Sequence, residues 1–501
     1  MGNNNLFWGV ATVLASLVLL CLSFKYYRAQ KVGKAVVLLM LAGFCLRCFV
    51  ISDGLLHEWD ERYHALVAKN MMEHPLKPML YAHPALPYDY KAWGSNHIWL
   101  HKQPLPLWSM AAAMKCFGVN EIALRLPSLL LTVTGILLTF MIGARLFDTR
   151  RGYFAAVLYA INGLIIEMTG GRAATDHIDI FFLFFVELAI LGAVLFARHK
   201  KTGYNVLSGI AMGLAILCKW LPALVVLPVW LLLVCSEQGL NKKQILLQGM
   251  LLCGVAILVA APWQVYIHLT FPKEATWEST FNYLHIVQGL EGHGQPFYFF
   301  IDKIRINYGE LIYLPLAWYT WTCFRNPRQY TRWAVWIWFV IPFLFFSFTK
   351  TKMQAYLLFT APALFLMTAD FAHMLLTGYR QMKYPRLAQL VLLLLLVLPL
   401  RYMIERVKPL DNREKNQAWV KGLKQFKTSG EPSRTVLFNY SRPIEAMFYT
   451  GITTYGYIPE KAVLDDLKQQ GYTLLVNDKG ALEPYIATDA AIGKVQLPEP
   501  Q

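Results

Sequence analysis

Long apolar segments recur along most of this chain, and they constrain its fold more than any other feature. A helix that crosses the hydrocarbon core of a membrane needs about 20 mostly apolar residues. About twelve segments approach that length: 6–24, 35–52, 124–147, 153–168, 178–197, 206–218, 221–235, 246–262, 306–324, 333–348, 356–374 and 387–403. The chain is 56% hydrophobic and only 16% charged. The sequence therefore predicts an all-α polytopic membrane domain with about twelve spans.

The basic residues lie in short clusters between the apolar segments. The clusters are 25–34, 145–151, 198–201, 242–243, 325–332 and 380–386. A net charge of +16 is thus spread over many loops, which argues against a nucleic-acid partner. The positive-inside rule places these loops in the cytoplasm. Loops 53–123 and 263–305 and the tail after residue 403 are then expected to face outward, and we expect segment 6–24 to be retained as a span.

The last hundred residues differ in character from the rest of the chain. They are more charged, and turn residues interrupt their apolar runs. The pattern predicts helices over 412–428, 442–449 and 459–470, and strands over 435–439 and 472–476. We therefore expect a transmembrane domain over 1–402 and a small α/β extracytoplasmic domain over 403–501. This second domain has no glycine-rich phosphate loop, so we expect it to support the structure or position an acceptor.

The first outward loop begins with an acidic pair and continues to a cationic cluster. Asp60 and Glu61 follow an apolar segment directly, and His101-Lys102 comes later in the same loop. A carboxylate at this place can act as a general base, and a lysine supplies a compact positive charge for a phosphate. The pattern predicts a site for an anionic, polar substrate. The alternative is a set of interfacial residues that pair with one another on solvated helices.

Further ionisable residues fall on the same predicted side of the membrane. Ionisable groups near membrane depth are costly and are candidates for function, although a single lysine there more often extends its amine to the interface. The candidates are Asp176, Lys219, His285, Lys350 and Lys352, with Tyr356 nearby.

The order of these motifs resembles a known family over about residues 35–374. The motifs are Trp59-Asp60-Glu61 with the stretch 65–71; His101-Lys102-Gln103-Pro104 with Trp108; Leu124-Arg125-Leu126-Pro127-Ser128; Thr175-Asp176; Cys218-Lys219; Ala261-Pro262-Trp263; His285 with His293 and Pro296-Phe297-Tyr298; and 346–352 with Tyr356. The chain resembles the GT-C class of integral membrane glycosyltransferases. It is most similar to the bacterial branch of protein O-mannosyltransferases and lipid A aminoarabinose transferases.

The resemblance implies a donor, a site and a location. The donor would be one sugar on a polyprenyl phosphate, transferred with inversion in an outward-facing site of a bacterial inner membrane protein. The implied catalytic residues are Asp60, Glu61 and Asp176. The implied contacts to the lipid phosphate are Lys102 first, then Lys219, Lys350, Lys352 and Tyr356, with Arg305 as a substitute for a family arginine. His101 and His285 match positions that hold a divalent metal in the aminoarabinose branch, either Zn or Mg/Mn.

Several positions depart from the family pattern. His101 stands where an acid is usual, Gln103 replaces a proline, and Gln288 stands where a phosphate-binding arginine is expected. Met353-Gln354 replaces Leu-Pro. Two imidazoles still suit zinc. The changes favour a sugar or acceptor other than aminoarabinose and lipid A.

The main hypothesis is thus a transferase whose acceptor is a lipid A-like glycolipid, a protein or a polysaccharide. The alternative is a lipid or polyprenyl-sugar transporter, for which we would expect inverted repeats and ion sites near the midplane. A scaffold with a partner-binding tail would leave the Asp60 loop unexplained. The sequence leaves the sugar, the acceptor and the oligomeric state open.

Overall fold

The computed structural model describes residues 5–174, 177–237, 239–411, 417–428 and 430–500. The helices before the C-terminal unit are α1 (Asn5–Arg28), α2 (Val32–Ile51), α3 (Asp60–Met71), α4 (Pro104–Phe117), α5 (Glu121–Leu146), α6 (Thr149–Ala160), α7 (Gly163–Thr169), α8 (His177–His199), α9 (Thr202–Lys219), α10 (Val226–Ser236), α11 (Lys242–Thr270), α12 (Pro272–Val287), α13 (Phe299–Tyr308), α14 (Tyr313–Arg325), α15 (Tyr330–Phe348), α16 (Ala361–Gly378) and α17 (Pro385–Val407). Short 3-10 segments are Leu221–Val225, Glu310–Ile312, Gln354–Thr360, Tyr379–Gln381 and Pro432–Arg434.

The chain is a mostly helical, multi-pass membrane protein with fewer long spans than the sequence predicts. In the described ranges, eight helical segments are long and apolar enough to cross a membrane. A ninth is obtained if α6 and α7, which meet at 51°, form one bent span. By length and apolar character, the described residues thus contain fewer spans than the predicted twelve or so. Predicted span 206–218 falls on α9, which carries the polar Asn205, and predicted span 221–235 falls on the short helix Leu221–Ser236. Predicted span 306–324 falls on the interrupted stretch of α13 and α14.

Small residues let the central helices α5 and α6 approach each other closely. A side-chain carbon added to Gly143 would lie 2.7 Å from the backbone of Gly152. Such contacts bring helix backbones together where lipid gives no hydrophobic drive for association. Helix α5 also packs on α2 and α8. The first turns of α5 and α8 therefore lie side by side beneath the loop that contains α3.

The C-terminal unit is a four-stranded parallel sheet with helices, as the sequence predicted in outline. Its strands are β1 (Thr435–Phe438), β2 (Thr453–Thr454), β3 (Thr473–Asn477) and β4 (Ile492–Val495), in the order β2-β1-β3-β4. Its helices are α18 (Ala418–Gln425), α19 (Pro443–Thr450), α20 (Lys461–Gln469) and α21 (Pro484–Ala487). Part of the predicted helix 412–428 lies outside the described residues, and the domain boundary at 402 stays a prediction.

Helix α19 of this unit packs on α3. The Lys69 amine donates hydrogen bonds to the carbonyl oxygens of Met447 at 3.2 Å and Phe448 at 2.6 Å. These carbonyls lie at the C-terminus of α19, where a cation is favourable. Near the other end of α3, Arg62 lies 3.4 Å from the buried Glu445 carboxylate. Both ends of α3 are therefore held by the C-terminal unit.

Tyr449 extends this contact to the loop that precedes α3. Its hydroxyl accepts a hydrogen bond from the Leu56 amide at 3.0 Å and donates one to Glu121 Oε1 at 2.7 Å. Lys424 also lies 2.7 Å from Glu121. A single phenol thus joins α19, the start of α5 and the chain segment before α3.

We expect Tyr449→Phe to lower the free energy of unfolding by about 1–3 kcal/mol, because a largely buried carboxylate and an amide each lose a partner. The measurement is denaturant or thermal unfolding of the purified chain. Tyr457→Phe is the matched control, because Tyr457 lies in the same unit and is exposed. Equal stability of the two variants would contradict this account of the docking.

Candidate active site

An ion pair at the start of α3 forms the centre of the candidate site. Asp60 is the first residue of α3, and Lys102 lies in the loop just before α4. The Lys102 Nζ atom is 3.5 Å from Asp60 Oδ2, and both side chains are partly exposed. Burial acts to raise the pKa of Asp60, but the charges of Lys102 and two nearby histidines outweigh it and hold that pKa at about 2. Asp60 is therefore an accessible, ionised carboxylate.

Lys102 lies among several acidic side chains. Burial acts to lower the pKa of Lys102, but the negative charges around it raise that pKa above its usual value. The carboxylates, in order of their effect, belong to Asp60, Glu291, Asp179 and Glu278. Lys102 is thus held as a cation at the meeting point of both predicted outward loops and the start of α8.

A second lysine lies near the same centre. Lys219, the last residue of α9, bonds to Asp179 Oδ1. Its amine also lies 4.6 Å from the centre of the Tyr356 ring, where a cation is attracted by the ring face. The structure thus brings together Lys219 and Tyr356, which are predicted site residues, and Asp179, which was not among the predicted catalytic or phosphate-binding residues.

Aromatic rings and acids surround His101. Its ring stacks on Trp93 with centroids 4.6 Å apart, and its Nδ1 lies 3.3 Å from Glu278 Oε2. Trp93 donates a hydrogen bond to Glu291 at 2.6 Å. His285 lies 3.8 Å from the same carboxylate group. Burial and the Lys102 charge lower the pKa of His101, against the opposing effect of Glu278.

The predicted metal ligands do not fit a metal centre in this arrangement. His101 and His285 each face a different carboxylate, Glu278 and Glu291 respectively. Across the described part of the chain, no three His, Cys, Asp or Glu side chains converge as a metal site. A divalent ion held by protein needs about three such ligands or several carboxylates in one shell. The proposed reaction therefore uses only side chains of this protein.

Glu61 is fully buried, unlike its neighbour Asp60. Arg125 of α5 donates hydrogen bonds to both carboxylate oxygens of Glu61, from Nε to Oε1 at 2.6 Å and from Nη2 to Oε2 at 2.9 Å. His177 lies 3.2 Å from Oε1, and the His57 amide donates to Oε2 at 2.6 Å. Burial acts to raise the pKa of Glu61, but Arg125 outweighs it and keeps that pKa well below its usual value. Glu61 is thus ionised and shielded from solvent.

The Arg125 guanidinium also hydrogen-bonds to the backbone that leads into α3. Arg125 donates to the carbonyl oxygens of Ile51 at 3.1 Å, Asp53 at 2.5 Å and Leu55 at 2.6 Å. Gly171 closes the other side, where an added side-chain carbon would lie 2.2 Å from Glu61 Oε1. One buried cation therefore fixes the turn that places Asp60.

The remaining predicted residues have different surroundings. Lys352 is buried, and its amine donates to the carbonyl oxygens of Gln295 and Thr349. Lys350 is exposed. Arg305 bonds to Asp302 of its own helix and is 46% exposed. No contact in the described structure joins Arg305 to the Asp60–Lys102 pair, and Asp176 lies outside the described residues.

Three non-glycine residues at the site have a positive φ angle. Trp59, directly before Asp60, has φ 74° and ψ −137°, and Trp220, directly after Lys219, has φ 63° and ψ −144°. Glu291 has φ 53°. The two tryptophans lie close to a region that is used almost only by glycine, at a cost of order 1–3 kcal/mol each. The site therefore contains local backbone strain.

We expect Glu61→Gln to lower the free energy of unfolding by about 3–5 kcal/mol, because it leaves the buried Arg125 without its counter-charge. Asp60→Asn is the matched control, because its pair with Lys102 is partly exposed and its loss should cost less than that of the fully buried Glu61. Thermal unfolding in detergent distinguishes the two. If both variants unfold at the same temperature, the structural role of Glu61 is wrong.

Part of this chain is similar to known proteins. A family model described as "Dolichyl-phosphate-mannose-protein mannosyltransferase" matches residues 101–266. A relative from Pseudomonas fluorescens, "Undecaprenyl phosphate-alpha-4-amino-4-deoxy-L-arabinose arabinosyl transferase 2", is 28% identical over 53% of this chain and 49% of its own length. The enzyme of the same description from Pseudomonas paraeruginosa is 27% identical over 58% and 53%. The chain spans about half the length of the curated relatives it matches.

Two solved structures share the fold over most of this chain. ArnT from Cupriavidus metallidurans, bound to undecaprenyl phosphate, has a TM-score of 0.61 and 16% identity, covering 87% of this chain and 88% of its own. The oligosaccharyltransferase AglB from Archaeoglobus fulgidus, with an inhibitory peptide and a dolichol-phosphate, has a TM-score of 0.55 and 14% identity, covering 84% and 64%. Residues 101–266 are therefore similar to this mannosyltransferase family, and the chain has an ArnT-like fold.

Proposed function

We propose that this protein transfers a single sugar from a polyprenyl-phosphate carrier to an extracytoplasmic acceptor, with inversion at the anomeric carbon. The observation that carries the proposal is the pair formed by Asp60 and Lys102, 3.5 Å apart and both partly exposed. It offers an ionised carboxylate beside a fixed cation, next to helices long and apolar enough to cross a membrane. These are the two charges that displacement of a lipid phosphate by an oxygen nucleophile requires.

Asp60 acts on the acceptor in this proposal. An acceptor hydroxyl attacks the anomeric carbon, the bond from that carbon to the phosphate oxygen breaks, and the hydroxyl proton passes to the Asp60 carboxylate. If the acceptor is a phosphate, it is already anionic, and Asp60 orients it. The low pKa of Asp60 keeps its carboxylate ionised.

Lys102 and Lys219 act on the leaving group. The departing lipid phosphate gains negative charge, and cations already in place stabilise it without reorganisation. Each lysine is held beside one carboxylate, Lys102 by Asp60 and Lys219 by Asp179. Tyr356 places its ring against the Lys219 amine and so fixes its position. Lys350 is exposed on the neighbouring segment and is assigned to the same phosphate.

The other acidic and basic residues have supporting roles. Glu61 positions Asp60 through Arg125 and does not contact the substrate. Lys352 donates to two backbone carbonyls and so holds its segment against the second loop. Arg305 receives no part in phosphate binding, because its hydrogen bonds go to Asp302. Asp176 stays assigned to the catalytic set on the strength of its motif alone.

The donor lipid is proposed by likeness. The curated relatives are described as undecaprenyl phosphate-aminoarabinose transferases, and the solved ArnT structure has undecaprenyl phosphate bound. We assign an undecaprenyl-phosphate sugar as the donor and the bacterial inner membrane as the location. The acceptor is a lipid A-like glycolipid, a protein or a polysaccharide. Residues 1–402 form the transferase domain, and 403–501 form an extracytoplasmic domain that holds α3.

We expect Asp60→Asn to lower turnover by about 10²–10⁴-fold if the acceptor is a hydroxyl, because the general base is lost. Binding of undecaprenyl phosphate should change little. The measurement is mass spectrometry of lipids incubated with the purified wild type and the variant. Consumption of a polyprenyl-phosphate sugar by the wild type alone supports the proposal. Equal behaviour of both proteins overturns Asp60 as a catalytic residue and favours transport.

We expect Lys102→Met to raise the pKa of Asp60 from about 2 towards its ordinary value, because the largest opposing charge is removed while burial remains. In the wild type, Asp60 therefore stays ionised as the pH falls until about 2. In the variant, it takes up a proton at higher pH. Infrared difference spectra against the same protein with Asp60→Asn, from about pH 2 to 7, detect the protonated carboxyl. Lys115→Met, an exposed lysine of α4, should leave the titration unchanged.

A further inference from the structure

Trp59 adopts a backbone conformation that normally only glycine occupies. Its φ and ψ angles are 74° and −137°, and the α-helix that carries Asp60 begins at the next residue. A side-chain carbon at such angles clashes with the neighbouring backbone. A bulky residue there destabilises the folded chain, and glycine would relieve the strain.

The fold does not compensate for this strain through the indole. The side chain of Trp59 is 59% exposed. In the described part of the chain, its ring takes part in no aromatic pair and its nitrogen donates no hydrogen bond to protein. A large apolar ring that is strained, exposed and unused by the fold is better explained by a ligand than by packing.

Trp220 supports the same reasoning from a different segment. It has nearly the same angles, φ 63° and ψ −144°. Trp59 is the chain neighbour of Asp60, and Trp220 is the chain neighbour of Lys219. Strained residues collect at functional sites, and here each one adjoins a charged group of the same centre.

We propose that Trp59 is a substrate-contacting residue whose indole face packs on the C–H face of a saccharide ring held at Asp60. This inference rests on the proposed transferase function. Adjacent Cα atoms are about 3.8 Å apart, so a sugar whose reacting atom meets the Asp60 carboxylate lies within reach of the neighbouring indole. A rigid, amphipathic ring offers a broad contact at little cost in conformational entropy. The saccharide belongs to the donor or to the acceptor.

The other role open to an exposed tryptophan is as an anchor at the membrane surface. An anchor needs an exposed ring but no unfavourable backbone, and it need not adjoin the reacting carboxylate. Trp321 of α14 is a suitable comparison, because it is 56% exposed and lies in an ordinary helix.

The test uses the full-length chain with Trp59→Gly, Trp59→Phe and, as a matched control, Trp321→Ala. The probes are undecaprenyl phosphate, its mannose and 4-amino-4-deoxy-L-arabinose conjugates, and Kdo2-lipid A as a saccharide acceptor. The measurements are the melting temperature, the Kd of each lipid and the KM for the acceptor. We expect Trp59→Gly to melt at the same or a higher temperature than the wild type, and Trp59→Phe to keep most of the substrate affinity.

For Trp59→Gly, a rise of about five- to tenfold in the Kd of a glycosylated lipid, with the Kd of undecaprenyl phosphate unchanged, assigns the contact to the donor sugar. A similar rise in the KM for the acceptor alone assigns it to the acceptor sugar. Unchanged Kd and KM values, or a clear fall in melting temperature, overturn the inference. If the wild type neither binds nor consumes any glycosylated lipid and matches Asp60→Asn, the proposed function itself fails, and the inference falls with it.

Discussion

The buried pair of Glu61 and Arg125 is the interaction on which the rest of the site depends. Both side chains are fully buried, so each charge would be costly without the other. Arg125 also donates hydrogen bonds to three carbonyl oxygens, at the end of α2 and in the turn before α3. The pair thus joins the membrane helix α5 to the irregular turn before α3. It leaves the carboxylate of the preceding residue, Asp60, partly exposed. Asp60 is partly exposed and Glu61 is fully buried, because the pair of Glu61 and Arg125 fixes the start of α3.

Each lysine of the site has an acidic partner before any substrate arrives. Lys102 faces Asp60, and Lys219 faces Asp179. Each cation is therefore oriented without being left uncompensated in a poorly solvated place. In the proposed reaction, the lipid phosphate meets positive charges whose positions are already set, at the cost of weakening existing pairs.

Much of this could be predicted from the sequence, and the failures have physical causes. Apolar length predicted the membrane helices, but it could not show where a helix bends, because the 51° turn between α6 and α7 lies at Asn162, whose side chain caps α7. The motifs predicted that Asp60, Lys102 and Lys219 would meet. They did not reveal Glu278, although it shares one face of α12 with His285 at a spacing of seven residues. Arg305 stays a prediction, and its hydrogen bonds in the structure go to Asp302 of its own helix.

The docking of the C-terminal sheet on the first loop also has a consequence for biogenesis. Leu86 packs in the core of that sheet, and its amide donates to the Tyr455 hydroxyl, a residue 369 positions later in the chain. At a synthesis rate of about 5–20 residues per second, the partner emerges roughly 20–70 s after Leu86. The C-terminal sheet can therefore support the loop that contains α3 only after residue 455 has been synthesised.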